Sequence, residues 1–230
     1  HVVTGAEGTA RIADTADTTT ASIDLAQHGN GVAATISLDH APQHDTQITY
    51  TVNGVEHTAV IKGGETSTTA DLGNLVVSNP YGTPTSLTAT VTSVNNDSAN
   101  FENVSTGSPT TASFTPEPVP TTASITGVDT VEGTKNVTFN VALDNVPKDG
   151  TATAVITVAG KDYNVAIGAD GKGTLTVDNP NAEDVYKDAS GLTATVKSIS
   201  GGGYSQVLTG AQGTARIADT ADTTTASIDL

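Results

Sequence analysis

The sequence predicts an all-β protein built from two tandem β-sandwich domains, and three observations support this fold class. The first is a long internal repeat, because residues 4–25 return as residues 209–230 with one change, Glu7 to Gln212. The second is a series of short segments in which apolar and polar residues alternate, the period of a half-buried β-strand. The third is a composition rich in Thr, Gly, Asn and Asp, which suits strands and turns rather than helices.

The period of the repeat sets the number of domains. A diverged third copy lies halfway along the chain, where residues 121–125 (TTASI) repeat residues 19–23 at an offset of 102. A period near 102 in 230 residues predicts two domains of ordinary size. Because the chain begins and ends inside the repeated block, we expect it to be part of a longer tandem array.

Each domain is predicted to contain about seven short strands. In the first domain, alternation marks strands at residues 32–38, 48–52, 56–61, 87–91 and 111–114, and in the second at residues 137–143, 154–158, 163–167, 192–196 and 214–217. Corresponding turns contain Pro42 and Pro147, and two-residue hairpin signals stand at Asn53-Gly54 and Ala159-Gly160. This spacing, without helical periodicity, is typical of a seven-stranded Greek-key sandwich of the immunoglobulin-like type.

The repeat and the strand pattern together predict the domain boundaries. We expect the last strand and linker of a preceding repeat at 1–18, the first sandwich at 19–117, a Pro-rich linker at 118–120, the second sandwich at 121–220, and the linker and first strand of a following repeat at 221–230. The Pro-rich segment should be an extended, semi-rigid spacer in an elongated array. The terminal strands are expected to dock onto neighbouring repeats or to pair between chains, since an unpaired edge recruits partners.

The charge balance excludes several classes of partner. The chain has 9 Lys and Arg against 25 Asp and Glu, for a net charge of −16, which disfavours nucleic acid and anionic membranes. It has no Cys, so neither disulfides nor thiolate metal sites are available. No apolar run is long enough to span a membrane, and we expect no direct insertion. Neighbouring carboxylates repel one another, and a bound divalent cation would remove that repulsion.

Acidic residues concentrate at the linkers and in the second domain. Asp14 and Asp17 stand three residues apart in the first linker, and Asp219 and Asp222 repeat that spacing in the last one. In the second domain the candidates are Glu132 before the second strand, Asp149 before the third strand, and a loop with Glu183, Asp184 and Asp188. Calcium takes six to eight oxygen ligands from such loops. The alternative is that these residues only cap turns in a solvated linker.

Other chemistries are weaker candidates. His40 and His44 flank a Pro turn beside Asp39 and Asp45, which raises a zinc site as an alternative to ordinary surface histidines. A loop Tyr, Tyr81 or Tyr186, is a candidate for glycan contact. A Gly-x-Ser-x-Gly motif is absent and the second domain contains no His, so we do not expect an enzyme.

Two motifs of the second domain resemble a known class of repeats. Glu132-Gly133 ahead of residues 137–141, followed by Asp149-Gly150-Thr151-Ala152, is similar to calcium-binding Calx-beta-type sandwiches and to the Ig-like extender repeats of giant RTX adhesins of Gram-negative bacteria. The resemblance implies Ca²⁺ ligation by Glu132, Asp149 and the Asp pair that ends the domain. The first domain departs from this pattern, since Gln27-His28 stands near the position of Glu132.

The resemblance also implies a function. It indicates a structural extender of a large secreted adhesin on the bacterial cell surface, stiffened by calcium at its junctions, that projects a binding domain and supports attachment and biofilm formation. Its partners would be neighbouring repeats and calcium ions. The alternative is a ligand-binding module, in which one sandwich itself binds a glycan or a host or cell-surface protein.

Overall fold

The computed structural model describes residues 1, 5, 7–96 and 100–229, so residues 2–4, 6 and 230 of the predicted terminal strands lie outside the described residues. Within these ranges the chain is all-β, as the sequence predicts. It forms two compact units: unit 1 comprises His1–Val77 and Pro84–Thr115, and unit 2 comprises Ser78–Thr83 and Pro116–Leu230. In the described part of the chain, no helix has the length and apolarity needed to cross a membrane.

Unit 1 consists of two four-stranded sheets. Its strands are β1 (Thr18–His28), β2 (Gly31–Leu38), β3 (Thr46–Val52), β4 (Val55–Ile61), β5 (Ser67–Asn74), β6 (Thr85–Val94), β7 (Asn103–Thr106) and β8 (Thr110–Phe114). The sheet orders are β5-β2-β1-β7 and β4-β3-β6-β8, and all pairs are antiparallel except β1 with β7. The apolar residues that alternate along these strands form one core, in which Tyr50 and Ile36 are almost completely buried.

Unit 2 consists of a four-stranded and a five-stranded sheet. Its strands are β9 (Thr121–Val128), β10 (Thr130–Val131), β11 (Asn136–Leu143), β12 (Ala152–Val158), β13 (Lys161–Ile167), β14 (Lys172–Asp178), β15 (Ser190–Gly201), β16 (Val207–Leu208) and β17 (Gln212–Ala218). The sheet orders are β14-β11-β9-β16 and β10-β17-β15-β12-β13. A separate core surrounds the buried side chains of Phe139, Ile156 and Ile217.

The described strands exceed the predicted seven, with eight in unit 1 and nine in unit 2. The additional strands are short: β7 has four residues, and β10 and β16 have two each. Such segments are too short for an alternating pattern to reveal them. The β-sandwich character agrees with the sequence prediction, whereas the immunoglobulin-like assignment remains a prediction.

At one equivalent position of the core, the large side chain comes from the first strand in unit 1 and from the neighbouring strand in unit 2. In unit 1, Leu25 on β1 pairs with Ala34 on β2, whereas in unit 2 Gly127 on β9 pairs with Phe139 on β11. Ala34 and Phe139 are both fully buried. A large residue on one strand thus faces a small residue on its neighbour in both units, with the two sizes exchanged.

The first strand ends differently in the two units. A Cβ at Gly127 would overlap the backbone of Ala215 and Thr214 on β17, so the glycine lets β9 and β17 approach closely. The chain of unit 2 then leaves the β9 sheet after Val128, and β10 pairs in parallel with β17 in the opposite sheet. In unit 1, β1 remains paired with β2 up to His28 and the chain turns back directly.

The terminal copies of the repeat contrast with the internal ones. Residues 7–17 duplicate the sequence around β17, and residues 223–229 duplicate that of β1, yet neither segment forms a strand. Ile12 is 97% exposed whereas its counterpart Ile217 is 1% exposed, and Ile228 is 87% exposed whereas Ile23 is 2% exposed. The pairing predicted for these segments therefore remains a prediction.

We expect Ala159→Asn to stabilise unit 2 by about 0.5–1 kcal/mol. Ala159 has a φ of 48° at the first position of the β12–β13 hairpin, where its counterpart Asn53 has a φ of 47°. Asparagine tolerates this left-handed conformation better than alanine does. Urea titration would measure the change in the free energy of unfolding.

The reverse change, Asn53→Ala, should destabilise unit 1 more strongly, because the Asn53 side chain also accepts a 2.8 Å hydrogen bond from the Thr88 amide. An unchanged or lowered stability of Ala159→Asn would contradict the prediction.

Candidate metal centre

The short strand β10 positions the first acidic side chain of the site. Thr130 and Val131 pair with Ile217 and Ala218 at the end of β17, and the Glu132 amide donates a 2.9 Å hydrogen bond to the Ala218 carbonyl. Glu132 therefore lies beside the hinge that follows β17, residues 219–222. This places the two acidic segments next to each other at one end of unit 2.

The loop between β14 and β15 brings further acidic residues to the same end. The Gly133 amide donates a hydrogen bond of 3.3 Å to the Asn181 carbonyl, and the Asn179 amide donates one of 3.0 Å to the Lys135 carbonyl. Gly133 has a φ of 66°, and a Cβ there would overlap the Glu183 side chain. The glycine thus lets the loop lie close enough to place Glu183 beside Glu132.

Five carboxylates of unit 2 converge as two trios that share Glu132. One trio is Glu132, Glu183 and Asp222, and the other is Glu132, Asp188 and Asp219. In each trio, one carboxylate oxygen per residue lies within 4.8 Å of the other two. Ca²⁺ binds oxygen at about 2.3–2.6 Å, so two oxygens on one ion are separated by at most about 5 Å. The spacing in each trio fits a single calcium ion.

Glu132 is the buried member of the cluster, with 2% of its surface exposed. Its Oε1 accepts two hydrogen bonds of 2.7 Å from Thr220, one from the backbone amide and one from the side-chain hydroxyl. Its Oε2 is buried and, with Asp188 and Asp219 ionised beside it, has no hydrogen-bond donor. A buried carboxylate oxygen without a partner is costly, and a cation would compensate it.

The pKa shifts reflect this environment. The hydrogen bonds from Thr220 hold the pKa of Glu132 below its ordinary value, so this group stays ionised. Desolvation and the neighbouring charges of Asp184, Glu132 and Asp219 raise the pKa of Asp188 above its ordinary value. The ion pairs among the described residues are His40–Asp39, Lys62–Asp45 and Lys197–Asp162, so none of them neutralises the cluster.

The donor set indicates the kind of cation. Both trios offer only carboxylate oxygens, which are the ligands that hard cations prefer. Calcium accepts flexible coordination with six to eight oxygens and can complete its shell with backbone carbonyls and water, whereas Mg²⁺ demands near-ideal octahedral geometry. Loop carboxylates from three separate chain segments fit the flexible requirement of Ca²⁺ better.

The other predicted ligands lie outside the two trios. Asp184 is in the same loop, where its Oδ1 accepts a 2.8 Å hydrogen bond from the Tyr186 amide. Asp149 follows β11, whereas Glu132 precedes it. The eight residues of β11 span roughly 27 Å. Asp149 therefore stands at the opposite end of unit 2 from Glu132.

The N-terminal pair has different surroundings from its copy at the end of unit 2. The Asp17 amide donates a 2.6 Å hydrogen bond to Glu102 Oε2, and the Asp17 carbonyl accepts one of 3.2 Å from the Asn103 amide. Asp14 and Asp17 correspond to Asp219 and Asp222, which meet acidic residues of the unit that ends at their hinge. Neither Asp14 nor Asp17 belongs to a metal-ligating group among the described residues.

Two residues make contacts that the sequence did not predict: Thr220 in unit 2 and Gln27 in unit 1. Thr220 supplies both donors to Glu132, and its hydroxyl also lies 2.9 Å from Glu183 Oε1. Its place between the two hinge aspartates was the available signal. In unit 1, Gln27 Nε2 donates a 2.6 Å hydrogen bond to the Thr115 carbonyl, at the place where the Glu132 amide meets Ala218 in unit 2.

The remaining candidates form no comparable group. His40 Nδ1 lies 3.0 Å from Asp39 Oδ1, and the His44 amide donates to Asn100 Oδ1 at 2.8 Å, but neither residue belongs to a metal-ligating group of the described chain. Tyr186 lies in the acidic loop itself and is 75% exposed. A zinc site at the histidines therefore gains no support from the geometry.

Comparisons with known proteins give limited information. No protein-family model matches the chain, and no curated protein matches it. One matching solved structure is described as a Ca²⁺-stabilized adhesin that helps an Antarctic bacterium reach out and bind ice. The two are 18% identical with a TM-score of 0.29, and the match covers 91% of this chain and 50% of the other, so this chain spans about half of that structure's length. At this similarity the comparison assigns no function.

Proposed function

We propose that the chain is a structural module of tandem β-sandwich repeats in which Ca²⁺ stiffens the hinge after unit 2. The observation that carries the proposal is the buried, unpartnered Oε2 of Glu132 within a group of five carboxylates. The buried Oε2 carries a desolvation cost that a bound cation would remove. A catalytic role is not proposed, because the cluster consists of acidic residues at a hinge and contains no nucleophile–base pair.

Charge favours two ions rather than one. The two trios contain five carboxylates with a formal charge of −5 when all are ionised. One Ca²⁺ would leave −3 at the cluster and two would leave −1. A carboxylate oxygen has two lone pairs, and Glu132 Oε1 uses both for Thr220, so Oε2 of the shared Glu132 would bridge the pair.

The ions would stiffen the hinge because their ligands come from three segments. Glu132 follows β10, Glu183 and Asp188 belong to the loop after β14, and Asp219 and Asp222 belong to the hinge. Ligation would therefore fix the hinge to unit 2 and restrict the direction in which the following segment leaves. In unit 1 the corresponding side chain is the neutral Gln27, which binds the carbonyl at the end of its last strand, so no carboxylate there would need an ion.

The biological setting that fits best is the extender region of a large bacterial surface adhesin. Three features support it: the internal repeat, the absence of Cys and the net charge of −16. Extracellular calcium modules work with dissociation constants of about 10⁻⁴–10⁻³ M, so exposed loop sites suffice there. The array would project a binding domain from the cell surface and support attachment and biofilm formation, with neighbouring repeats and calcium as its partners.

One observation favours the alternative of a ligand-binding module. Unit 1 contains an apolar cavity of about 330 Å³ lined by Val52, Val55, His57, Leu75, Val77 and Leu87, among others. This volume lies at the lower end of small-ligand sites. Glycan-array binding that is lost on Val55→Asp would support this alternative over the spacer.

Calorimetry with calcium tests the proposal. We expect titration to give two Ca²⁺ per chain. In thermal melting, the melting temperature of unit 2 should rise with Ca²⁺ and fall with chelator. The unit 1 transition should not move. Unchanged melting of unit 2 on addition of Ca²⁺ would rule out the calcium-stiffened spacer. One ion instead of two would remove only the bridging role of Glu132.

A further inference from the structure

We infer that the apolar cavity of unit 1 is a binding site for a small neutral aromatic molecule of about the size of indole. The cavity has a volume of about 330 Å³, and valine and leucine account for five of its eight lining residues. It lies beside the β3–β4 hairpin, with its lining on β3, β4, β6 and the segment that follows β5. All of these residues belong to unit 1 and none to the carboxylate cluster, so the inference is independent of the proposed calcium role.

The volume of the cavity sets the size of the ligand. An apolar cavity of roughly 150 Å³ inside a protein stays dry and binds benzene. The cavity of unit 1 offers about twice that space, which is room for a molecule with two fused rings. Its volume also reaches the lower limit of natural small-molecule sites, which is about 300 Å³.

The cavity combines buried apolar walls with an apolar mouth. Val52 and Leu87 belong to the core of unit 1 and are each 3% exposed. Val55 and Val77 line the same cavity but are 61% and 67% exposed. A ligand that contacts both pairs would remove this exposed apolar surface from water, which is the main driving force for binding an apolar molecule.

The polar residues of the lining favour an aromatic ligand. The His57 ring is stacked on the ring of Tyr50, with centroids 5.4 Å apart and planes 20° apart, and Tyr50 is 1% exposed. The core therefore holds the imidazole in place, where it can contact the face or edge of an aromatic molecule. Asn53 and Thr85 already accept hydrogen bonds from backbone amides of unit 1. A sugar with several hydroxyls would find few partners here, so an aromatic molecule fits this lining better than a glycan.

Unit 2 has a smaller and more polar space at the equivalent place. The cavity beside its β12–β13 hairpin has a volume of about 140 Å³, and Asp178 is part of its lining. In the strand register, Tyr163 takes the position of His57. Lys161 takes that of Val55, and its ammonium lies 5.0 Å from the centroid of the Tyr163 ring. A larger ring and a charge thus stand at the two positions that leave the cavity of unit 1 open and apolar.

Fluorescence titration with indole tests the inference. The chain has no Trp, so the emission of indole can be followed with little contribution from the protein. We expect the emission to shift to shorter wavelength as indole leaves water, and to saturate at one indole per chain. Indole should also raise the melting temperature of unit 1 and leave that of unit 2 unchanged, with Ca²⁺ and with chelator alike. A titration without a saturable shift, or stabilisation of unit 2 in place of unit 1, would overturn the inference and leave the calcium proposal intact.

Variants of β4 locate the site. Val55→Lys with His57→Tyr copies the lining of unit 2 and should weaken indole binding at least tenfold. Val55→Lys alone changes a side chain that is 61% exposed, so it should keep the fold and weaken binding in the same direction. Val60→Lys is the matched control, because Val60 is also an exposed valine of β4 but does not line the cavity, and it should bind indole as the wild type does. Unchanged affinity in the two Val55 variants, or an equal loss in Val60→Lys, would overturn the assignment of the cavity.

Discussion

Replacing Glu132 with glutamine is expected to abolish the calcium-dependent stabilisation of unit 2. Glu132 belongs to both carboxylate trios and is their buried member, so one substitution removes a ligand from each ion. At a concentration 100 times its dissociation constant, a bound ion stabilises the folded state by about 2.7 kcal/mol. In a domain of this size each kcal/mol corresponds to roughly 4–8 °C. We therefore expect the melting temperature of wild-type unit 2 to fall by more than about 10 °C on chelation, and Glu132→Gln with Ca²⁺ to melt near the chelated wild type.

Without calcium, the same variant should differ little from the wild type. With chelator, Glu132→Gln removes one of five clustered negative charges while keeping an amide oxygen for the Thr220 donors. The relief of repulsion opposes the loss of the charge-assisted hydrogen bonds from Thr220, which hold the pKa of Glu132 low, so the variant should melt near the chelated wild type. A purely structural role of Glu132 would instead lower the melting temperature in both conditions.

Matched variants separate the two trios. Asp222→Asn and Asp188→Asn each affect one trio and should each remove one of the two ions in calorimetric titration. Asp149→Asn is the control, because Asp149 lies beyond the other end of β11 and should leave the calcium response unchanged. A full calcium shift in Glu132→Gln would contradict the assignment of Glu132.

The sequence predicted most strands because unit 1 and unit 2 have half-buried sheets, in which alternate residues face the core. The burial of Ile48, Tyr50 and Val52 on β3, with exposed or half-buried residues between them, follows that rule. Among the strands that the sequence did not mark, β7, β10 and β16 have two to four residues, which carry no measurable period.

The candidate ligands were predictable as residue types but not as a group. Glu132, Glu183, Asp188, Asp219 and Asp222 stood out because few bases lie near them in sequence. Their grouping depends on β10 crossing to β17 and on the loop held by Gly133, and both are tertiary contacts. The position of Asp149 was readable in principle, because a predicted strand separates it from Glu132.

Substituting Gly127 with alanine is expected to destabilise unit 2 by about 3 kcal/mol or more. This exceeds the usual cost of overpacking, because the added methyl group meets backbone atoms rather than a flexible side chain. The methyl group would overlap the Ala215 and Thr214 backbone of β17, and relief would require β9 and β17 to separate. The chain runs from β9 directly into β10, which pairs with β17 and positions Glu132. Calcium affinity should therefore fall together with stability. Thermal melting and calcium titration would measure the two effects. Leu25→Ala in unit 1 is the matched control, because it removes a half-buried side chain from the equivalent position without bringing strands into overlap.

A double variant separates the fold from the site. Gly127→Leu with Phe139→Ala copies the Leu25–Ala34 pair of unit 1, in which the large residue lies on the first strand. The exchange nearly conserves side-chain volume, so unit 2 should regain much of the stability that Gly127→Ala loses. A leucine at this position still prevents the approach of β9 to β17, so the chain should not cross into the opposite sheet and Glu132 should not reach the hinge. A folded double variant without a calcium response would show that one glycine decides whether a repeat of this fold carries the metal centre. A double variant that binds calcium as the wild type does would show that the crossing does not depend on Gly127.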